Sequence, residues 1–513
     1  MAIDTTAPLT LRSLGDHLWR SEEFTRNKIQ NPKDYVLALL FFKRASDRYA
    51  EETARALEQL AVDGLECDEA VGVINAQPTA YHSLLVPDGC FWHDVRNTDE
   101  HRIGKAVNYA LAGIAKANPS QLHGVFDSTD FNNKRAVPPD ALGDLLDHFE
   151  ELGPLTEERC PPDLLGQAYE WTIAKFAAES GKRGGEFYTP HQVGKLGARL
   201  LAPKPHEDIY DPTCGSGGLL LQALAEARRL HGDEARTVRL FGQELTPETW
   251  AIARMNMVLH GAADAATIVQ GDTLASPAFL DGTEIRRFDT IIANPPFSSK
   301  NWGWDRLKAG GDRYGRIKHL PKKQHGEMAF VQHMVASLGD HGRLAVVLPN
   351  GCFFRGGAEQ AVRRDLIDRN LVHAVVQLPK DLFFGSGIPA CWLLINREKP
   401  QKLGDRVLFV EASELFERVD TKNRLRDDDV NEIVSAVNAV EDIPGFVACI
   451  PNAEIAARDY AMSVRRFVLG TDDGSNDDVL DLAEAIAAYR DAAETRANAE
   501  LHLDALLRRL EDA

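Results

Sequence analysis

Four short apolar runs between residues 208 and 297 limit the possible folds more than any other feature, because each ends on a polar group and a turn. Asp208-Ile209-Tyr210-Asp211 leads into Pro212-Thr213-Cys214-Gly215-Ser216-Gly217-Gly218 and then into the helix-forming stretch Leu219–Ala227. Val238–Gln243 ends on Glu244, Ala266–Gly271 ends on Asp272, and Phe288–Ala293 ends on Asn294-Pro295-Pro296-Phe297. Runs of this kind read as buried parallel strands, and the helical stretches between them as βαβ crossovers. Such a chain folds as an open α/β sheet, which takes its ligands at the C-terminal ends of its strands. Asp211, Glu244, Asp272 and Asn294 all stand at that edge.

The chemistry of these strand ends is selective. Glycines at the first turn let the backbone come close to a ligand where a helix begins. The spacing is not the dinucleotide G-x-G-x-x-G, and no G-x-x-x-x-G-K-[ST] phosphate loop occurs. Asp211 would repel a pyrophosphate but suits a cationic or hydroxyl-rich ligand. Glu244 falls where a ribose diol is commonly held. One such acid would read equally well as a solvated loop carboxylate. Three in succession point to an adenosine-type cofactor without phosphates. At Asn294-Pro295-Pro296-Phe297 the prolines fix φ and supply no N–H. Outward carbonyls, the Asn294 amide and an aromatic face suit a planar amino group. Taken alone, the same four residues also read as a strand-ending Pro-Pro turn.

With these motifs in place, the chain resembles the methylation (M) subunit of type I restriction–modification systems, an N6-adenine DNA methyltransferase. The likeness is carried by Asp34–Asp47, by Gly185-Glu186-Phe187-Tyr188-Thr189-Pro190-His191, by the two motifs above, and by Gly342–Pro349 and Phe384–Ala390. The family often has Lys or Arg where this chain has His191. The resemblance implies a doubly wound, Rossmann-like S-adenosyl-L-methionine-dependent methyltransferase domain with a helical N-terminal domain and a helical C-terminal extension. It implies that Glu186, Phe187, Tyr188 and Thr189 pack around the methionine part of the cofactor, with Pro190 and His191 in the same segment. Asp211, Thr213, Cys214, Gly215, Ser216 and Gly217 would form the cofactor loop, Glu244 would take the ribose hydroxyls, and Asp272 would read the adenine. Asn294, Pro295, Pro296 and Phe297 would be catalytic, with Phe297 stacking on a flipped adenine, and no metal would be required. The implied partners are double-stranded DNA and a DNA-specificity subunit; a restriction (ATPase/nuclease) subunit and a second copy of this chain are further partners it allows. The Asn-Pro-Pro-aromatic motif also serves methyltransferases of guanine N2 in ribosomal RNA or of a protein glutamine amide. The Glu186–Pro190 segment and the long helical N-terminal region weigh against that alternative.

At 513 residues and 44% hydrophobic content, more than one domain is expected. Patterning divides the chain into a helical domain over 1–165, the methyltransferase domain over 166–400, an extension over 401–470, and a linker with a partner-docking helix over 471–513. In the last segment Val479, Leu482, Ile486 and Tyr489 begin a seven-residue apolar repeat, which reads equally as a helix packed on its own chain. No apolar run is long enough to span a membrane, and no secretory leader pattern opens the chain. The seven cysteines include no C-x-x-C, so neither a disulfide framework nor a zinc site is suggested and a cytoplasmic location is expected. The net charge is −19, yet residues 299–326 carry eight Lys or Arg against two Asp, a surplus of six positive charges. With Trp302, Trp304 and Tyr314 among them, this segment reads as a mobile, nucleic-acid-facing loop beside the Asn-Pro-Pro-Phe turn.

Overall fold

The computed structural model describes residues 7–25, 28–29, 32–179, 189–297, 299, 302–383, 388–419 and 422–470. The N-terminal region is helical, as patterned. Its centre is the helix Pro32–Val62, in which Tyr35 through Ser46 are all buried. A helix apolar on every side belongs inside a bundle, and here each of the two cations in that stretch has a partner. Lys43 pairs with Asp47 at 2.8 Å, and Arg44 donates to the Leu155 carbonyl. Helices Leu11–Thr25 and Pro139–Glu150 pack against it, and Ile103–Ala117 packs in turn on Pro139–Glu150.

The second region is a nine-stranded sheet. Its strands are β1 (Asp208–Asp211), β2 (Arg239–Glu244), β3 (Ala266–Gln270), β4 (Phe288–Ala293), β5 (Leu338–Pro349), β6 (Val372–Gln377), β7 (Ala390–Asn396), β8 (Arg406–Glu411) and β9 (Val447–Pro451). They lie in the order β9-β8-β6-β7-β5-β4-β1-β2-β3. The order reverses between β1 and β4, which are parallel neighbours with Tyr210 opposite Ile291. That reversal is the switch point where helices leave to opposite faces and a crevice opens. The loops bearing Asp211 and Asn294 therefore emerge side by side.

The sheet departs from all-parallel in two places. β7 runs antiparallel to both β5 and β6, and β9 runs antiparallel to β8. A parallel return needs a crossover, usually a helix. The described part of the 378–389 connection contains none, so β7 turns back directly beside β6. Residues 401–470 add β8 and β9 to this same sheet, with the helix Asp427–Ala439 between them.

The two regions share a core. Ala251, Ile252, Met255 and Leu259 of the helix Pro247–Leu259 pack into the apolar cluster of the helical domain. On the same helix, Arg254 donates to the Gln121 and Ser120 carbonyls at 2.8 and 2.6 Å.

Glycines record how tightly the sheet is covered. On the helix His191–Leu201, a Cβ at Gly197 would lie 2.6 Å from the buried Trp392 ring. By contrast, a Cβ at Gly143, on the helix Pro139–Glu150, meets nothing within 4 Å. Gly197→Val is expected to destabilise by roughly 1–3 kcal/mol through overpacking, and Gly143→Ala to stabilise by about 0.5–1 kcal/mol through lost backbone freedom in the unfolded chain. Urea unfolding followed by circular dichroism checks the opposite signs; equal shifts would contradict this packing.

Candidate active site

The loop after β1 is built around a buried carboxylate. Asp211 is 1% exposed, and its Oδ1 accepts the Thr213 amide at 2.9 Å. Gly215 takes φ +55°, and its amide donates to Glu244 Oε2 at 3.0 Å, across to the end of β2. A Cβ at Gly215 would meet nothing within 4 Å, so its positive φ, not crowding, is what favours glycine there. Glu244 Oε1 accepts the Thr246 amide at 2.9 Å. Burial drives the Asp211 carboxyl up to about 8; the Thr213 amide opposes this and the Glu244 charge adds to it. A cationic group entering the crevice would relieve that tension.

At the end of β3, Asp272 Oδ1 accepts two amides, from Leu274 and Ala275, both at 2.9 Å. Its Oδ2 has no hydrogen-bond partner among the described residues. Thr273 Oγ1 donates to the Pro212 carbonyl at 2.6 Å and ties this turn to the Asp211 loop. Leu245, next to Glu244, is 57% exposed. The sequence places this apolar residue directly after Glu244 but carries no signal that it is exposed.

β4 delivers the remaining group. Asn294 Nδ2 donates to Thr189 Oγ1 at 2.9 Å. Its Oδ1 is buried and has no hydrogen-bond partner among the described residues. An unpaired buried carbonyl costs roughly 1–3 kcal/mol, so the site holds an acceptor in readiness for a donor. Pro295 is buried and Pro296 half-buried beside it. Phe297 is 8% exposed, edge-on to Phe383 with ring centroids 6.0 Å apart. Phe383, on the 378–389 connection, is a neighbour that only the fold reveals. Pro190 precedes the helix His191–Leu201, and the His191 ring bonds Gln222 at 3.0 Å. Glu186, Phe187 and Tyr188 lie outside the described residues, as do residues 384–387 and 471–513.

Residues 302–326 of the basic segment are folded rather than loose, and this corrects the expectation for them. Residues Trp304–Gly310 form a helix, and the Trp302 and Trp304 indoles donate to the Lys323 and Pro321 carbonyls at 2.9 and 2.8 Å. Arg316 is 4% exposed and ion-paired with Asp312, so it is withdrawn from any nucleic acid. Charge counting cannot tell a buried arginine from an exposed one. Arg306, Lys308, Arg313, Lys318, Lys322 and Lys323 remain on the surface.

Comparison with known proteins accounts for this arrangement. Residues 161–475 match the family model described as N-6 DNA methylase, and residues 10–149 match that of the HsdM N-terminal domain. The chain belongs to the methylase subunits of type I restriction enzymes. It is 31% identical over 475 residues to the type I restriction enzyme MjaVIII methylase subunit of Methanocaldococcus jannaschii, covering 89% of this chain and 78% of that one. It is 28% identical to the MpnII methylase subunit of Mycoplasma pneumoniae, covering 85% of each. Among solved structures, the type I methyltransferase subunit from Streptococcus thermophilus superposes with a TM-score of 0.75 at 28% identity, over 90% of this chain and all of that one. This methylase is thus an adenine-N6 DNA methyltransferase subunit. None of its described helices is long and apolar enough to cross a membrane.

The Asp211 environment predicts a pH signature. Its folded carboxyl stays neutral up to about pH 8, whereas an unfolded Asp ionises near 4. Between those values the folded chain holds the extra proton, so stability falls as pH rises through that window. Asp211→Asn removes this contribution. Without cofactor, the variant's Tm should exceed the parent's at pH 8 and drop less between pH 5 and 8 by calorimetry. Parallel pH profiles would show that Asp211 is not strained.

Proposed function

We propose that this methylase uses the Asn294 oxygen and the Pro295 carbonyl to hold the 6-amino group of a DNA adenine while a methyl is transferred to it from S-adenosyl-L-methionine. Asn294 Oδ1, buried and without a hydrogen-bond partner among the described residues, carries this reading. The adenine N6 lone pair is delocalised into the ring and is a weak nucleophile. Two acceptors at the amine favour a pyramidal nitrogen and stabilise the positive charge that develops on it. Oδ1 is already aimed, because Thr189 holds the other end of the amide, so little reorganisation is needed. No strong base is required before attack.

A base inside a duplex cannot reach a buried oxygen, so the adenine must turn out of the stack. Phe297, fixed against Phe383, offers a ring on which it can stack. When bound, S-adenosyl-L-methionine supplies an electrophilic methyl on a sulfonium. The crevice suits that molecule: Asp211 favours its cationic end, Glu244 its ribose diol, and Asp272 Oδ2 its base amine, with Thr189, Pro190 and His191 at its edge. Thr213, Cys214, Ser216 and Gly217 complete the loop, and Glu186, Phe187 and Tyr188 are proposed on family resemblance alone.

DNA meets this chain through the exposed cations of residues 306–323, whose sign is opposite to that of the acidic remainder. So small a basic face on a chain of net charge −19 implies that other subunits supply much of the backbone contact. A DNA-specificity subunit reading the sequence fits that division, with a second methylase copy and a restriction subunit as further members, in the cytoplasm.

Asn294→Ala in the assembled enzyme should lower methyl transfer by roughly a hundredfold or more, the scale of a lost transition-state acceptor, with cofactor affinity nearly unchanged by calorimetry. Transfer at the parent rate would remove Asn294 from the mechanism. Phe297→Ala should slow transfer by an amount corresponding to roughly 1–3 kcal/mol of lost stacking, and Phe297→Tyr should retain most of it. Equal damage from both changes would argue against stacking.

A further inference from the structure

Arg316 is the most heavily bonded side chain near the crevice, and the reaction as described does not use it. Its NH1 donates to the Thr273 carbonyl at 3.1 Å and its NH2 to the Leu274 carbonyl at 2.8 Å. These are the carbonyls of the two residues directly after Asp272. Its Nε and NH2 also grip the Asp312 carboxylate, at 3.1 and 2.7 Å. NH1 further donates to His333 Nδ1 at 3.1 Å, and the opposite ring nitrogen lies 3.1 Å from the Tyr210 hydroxyl. Burial, then the neighbouring guanidinium, lower the His333 pKa to about 3, so the ring is neutral, with its proton on Nε2.

The consequence concerns the shape of one turn. Leu274 and Ala275 direct their amides inward to Asp272 Oδ1, while the Thr273 and Leu274 carbonyls point the other way, onto the guanidinium. Two carbonyls held by one planar fork fix the peptide planes between them, and these planes set the direction of the Asp272 side chain. The fork is itself immobilised by a buried carboxylate and a neutral imidazole.

We propose that Arg316 is a positioning residue for the cofactor's purine: it holds the 272–275 turn in the shape that presents Asp272 Oδ2 to the 6-amino group. This rests on the reading of Asp272 given above. Because Arg316 sits within the segment that carries the exposed cations, the DNA-facing surface and the purine site are built on one joint.

The test uses the full chain and two ligands that differ at the 6-position of the base, amino against oxo, and in the proton that the oxo form carries on N1: S-adenosylhomocysteine and S-inosylhomocysteine. Their affinities are measured by calorimetry. The parent should prefer the amino compound by about tenfold, the worth of one hydrogen bond. Arg316→Lys keeps the charge beside Asp312 but cannot span both carbonyls, and should lose most of that preference. The neutral pair Asp312→Asn/Arg316→Gln, which leaves no unpaired buried charge, should lose it too. A purely structural role would weaken both ligands alike and leave their ratio intact, and a folded Arg316→Lys chain with the parent ratio overturns the proposal. Asp272→Asn can donate to the inosyl oxygen, so its preference should vanish or invert. If Asp272→Asn keeps the full preference, the assignment of Asp272 itself falls, and the role of Arg316 with it.

Discussion

An amide oxygen buried without a donor is unfavourable, and among the described residues Asn294 Oδ1, at the end of the central strand β4, has none. Everything around it keeps it from relaxing. β4 is held between β1 and β5, both parallel to it, so its end cannot swing. The prolines that follow supply no amide hydrogen to fill the vacant lone pairs. Thr189 occupies the nitrogen end of the side chain. Under the proposed role of Asn294, a fold that fixes an acceptor in this way has stored part of the binding free energy for the target amine. For a reaction in which positive charge grows on that amine, the stored interaction strengthens as the transition state forms.

The other half of the crevice follows the opposite logic. There carboxylates are supported by backbone amides at Thr213, Gly215, Thr246, Leu274 and Ala275. A chain of amide donors lets three acids share a small space, and Asp211, the most buried of them, still favours its protonated form. Cations are kept elsewhere: Arg316 faces away from Asp272, onto backbone carbonyls and Asp312, and the exposed Lys and Arg lie on the outer surface of the same segment. The separation keeps the field of the buried acids and the field of the exposed cations from cancelling.

Much of this was readable in the sequence because it is local. Strand ends, a glycine turn and an Asn-Pro-Pro-aromatic tetrapeptide need only a few neighbouring residues to be recognised, and the fold brought Asp211, Glu244, Asp272 and Asn294 to one edge. What was not readable depends on residues far apart in the chain. The direction of β7 is decided by which strand it lies beside. The fate of the basic segment is decided by a buried Asp312 and by carbonyls about forty residues earlier, at Thr273 and Leu274. Phe383 meets Phe297 only after β6 and β7 have paired. Composition gave the sign of each surface but not which charges face water.

The central claim, that this chain methylates N6 of adenine in DNA, is tested most directly by single-molecule sequencing of genomic DNA. Cells with the intact subunit set are compared with cells lacking only this chain. The account predicts N6-methyladenine at one defined sequence in the first genome and its complete loss in the second. Identical adenine methylation in the two genomes, with a methyl group missing instead from ribosomal RNA guanine or from a protein glutamine, would contradict it.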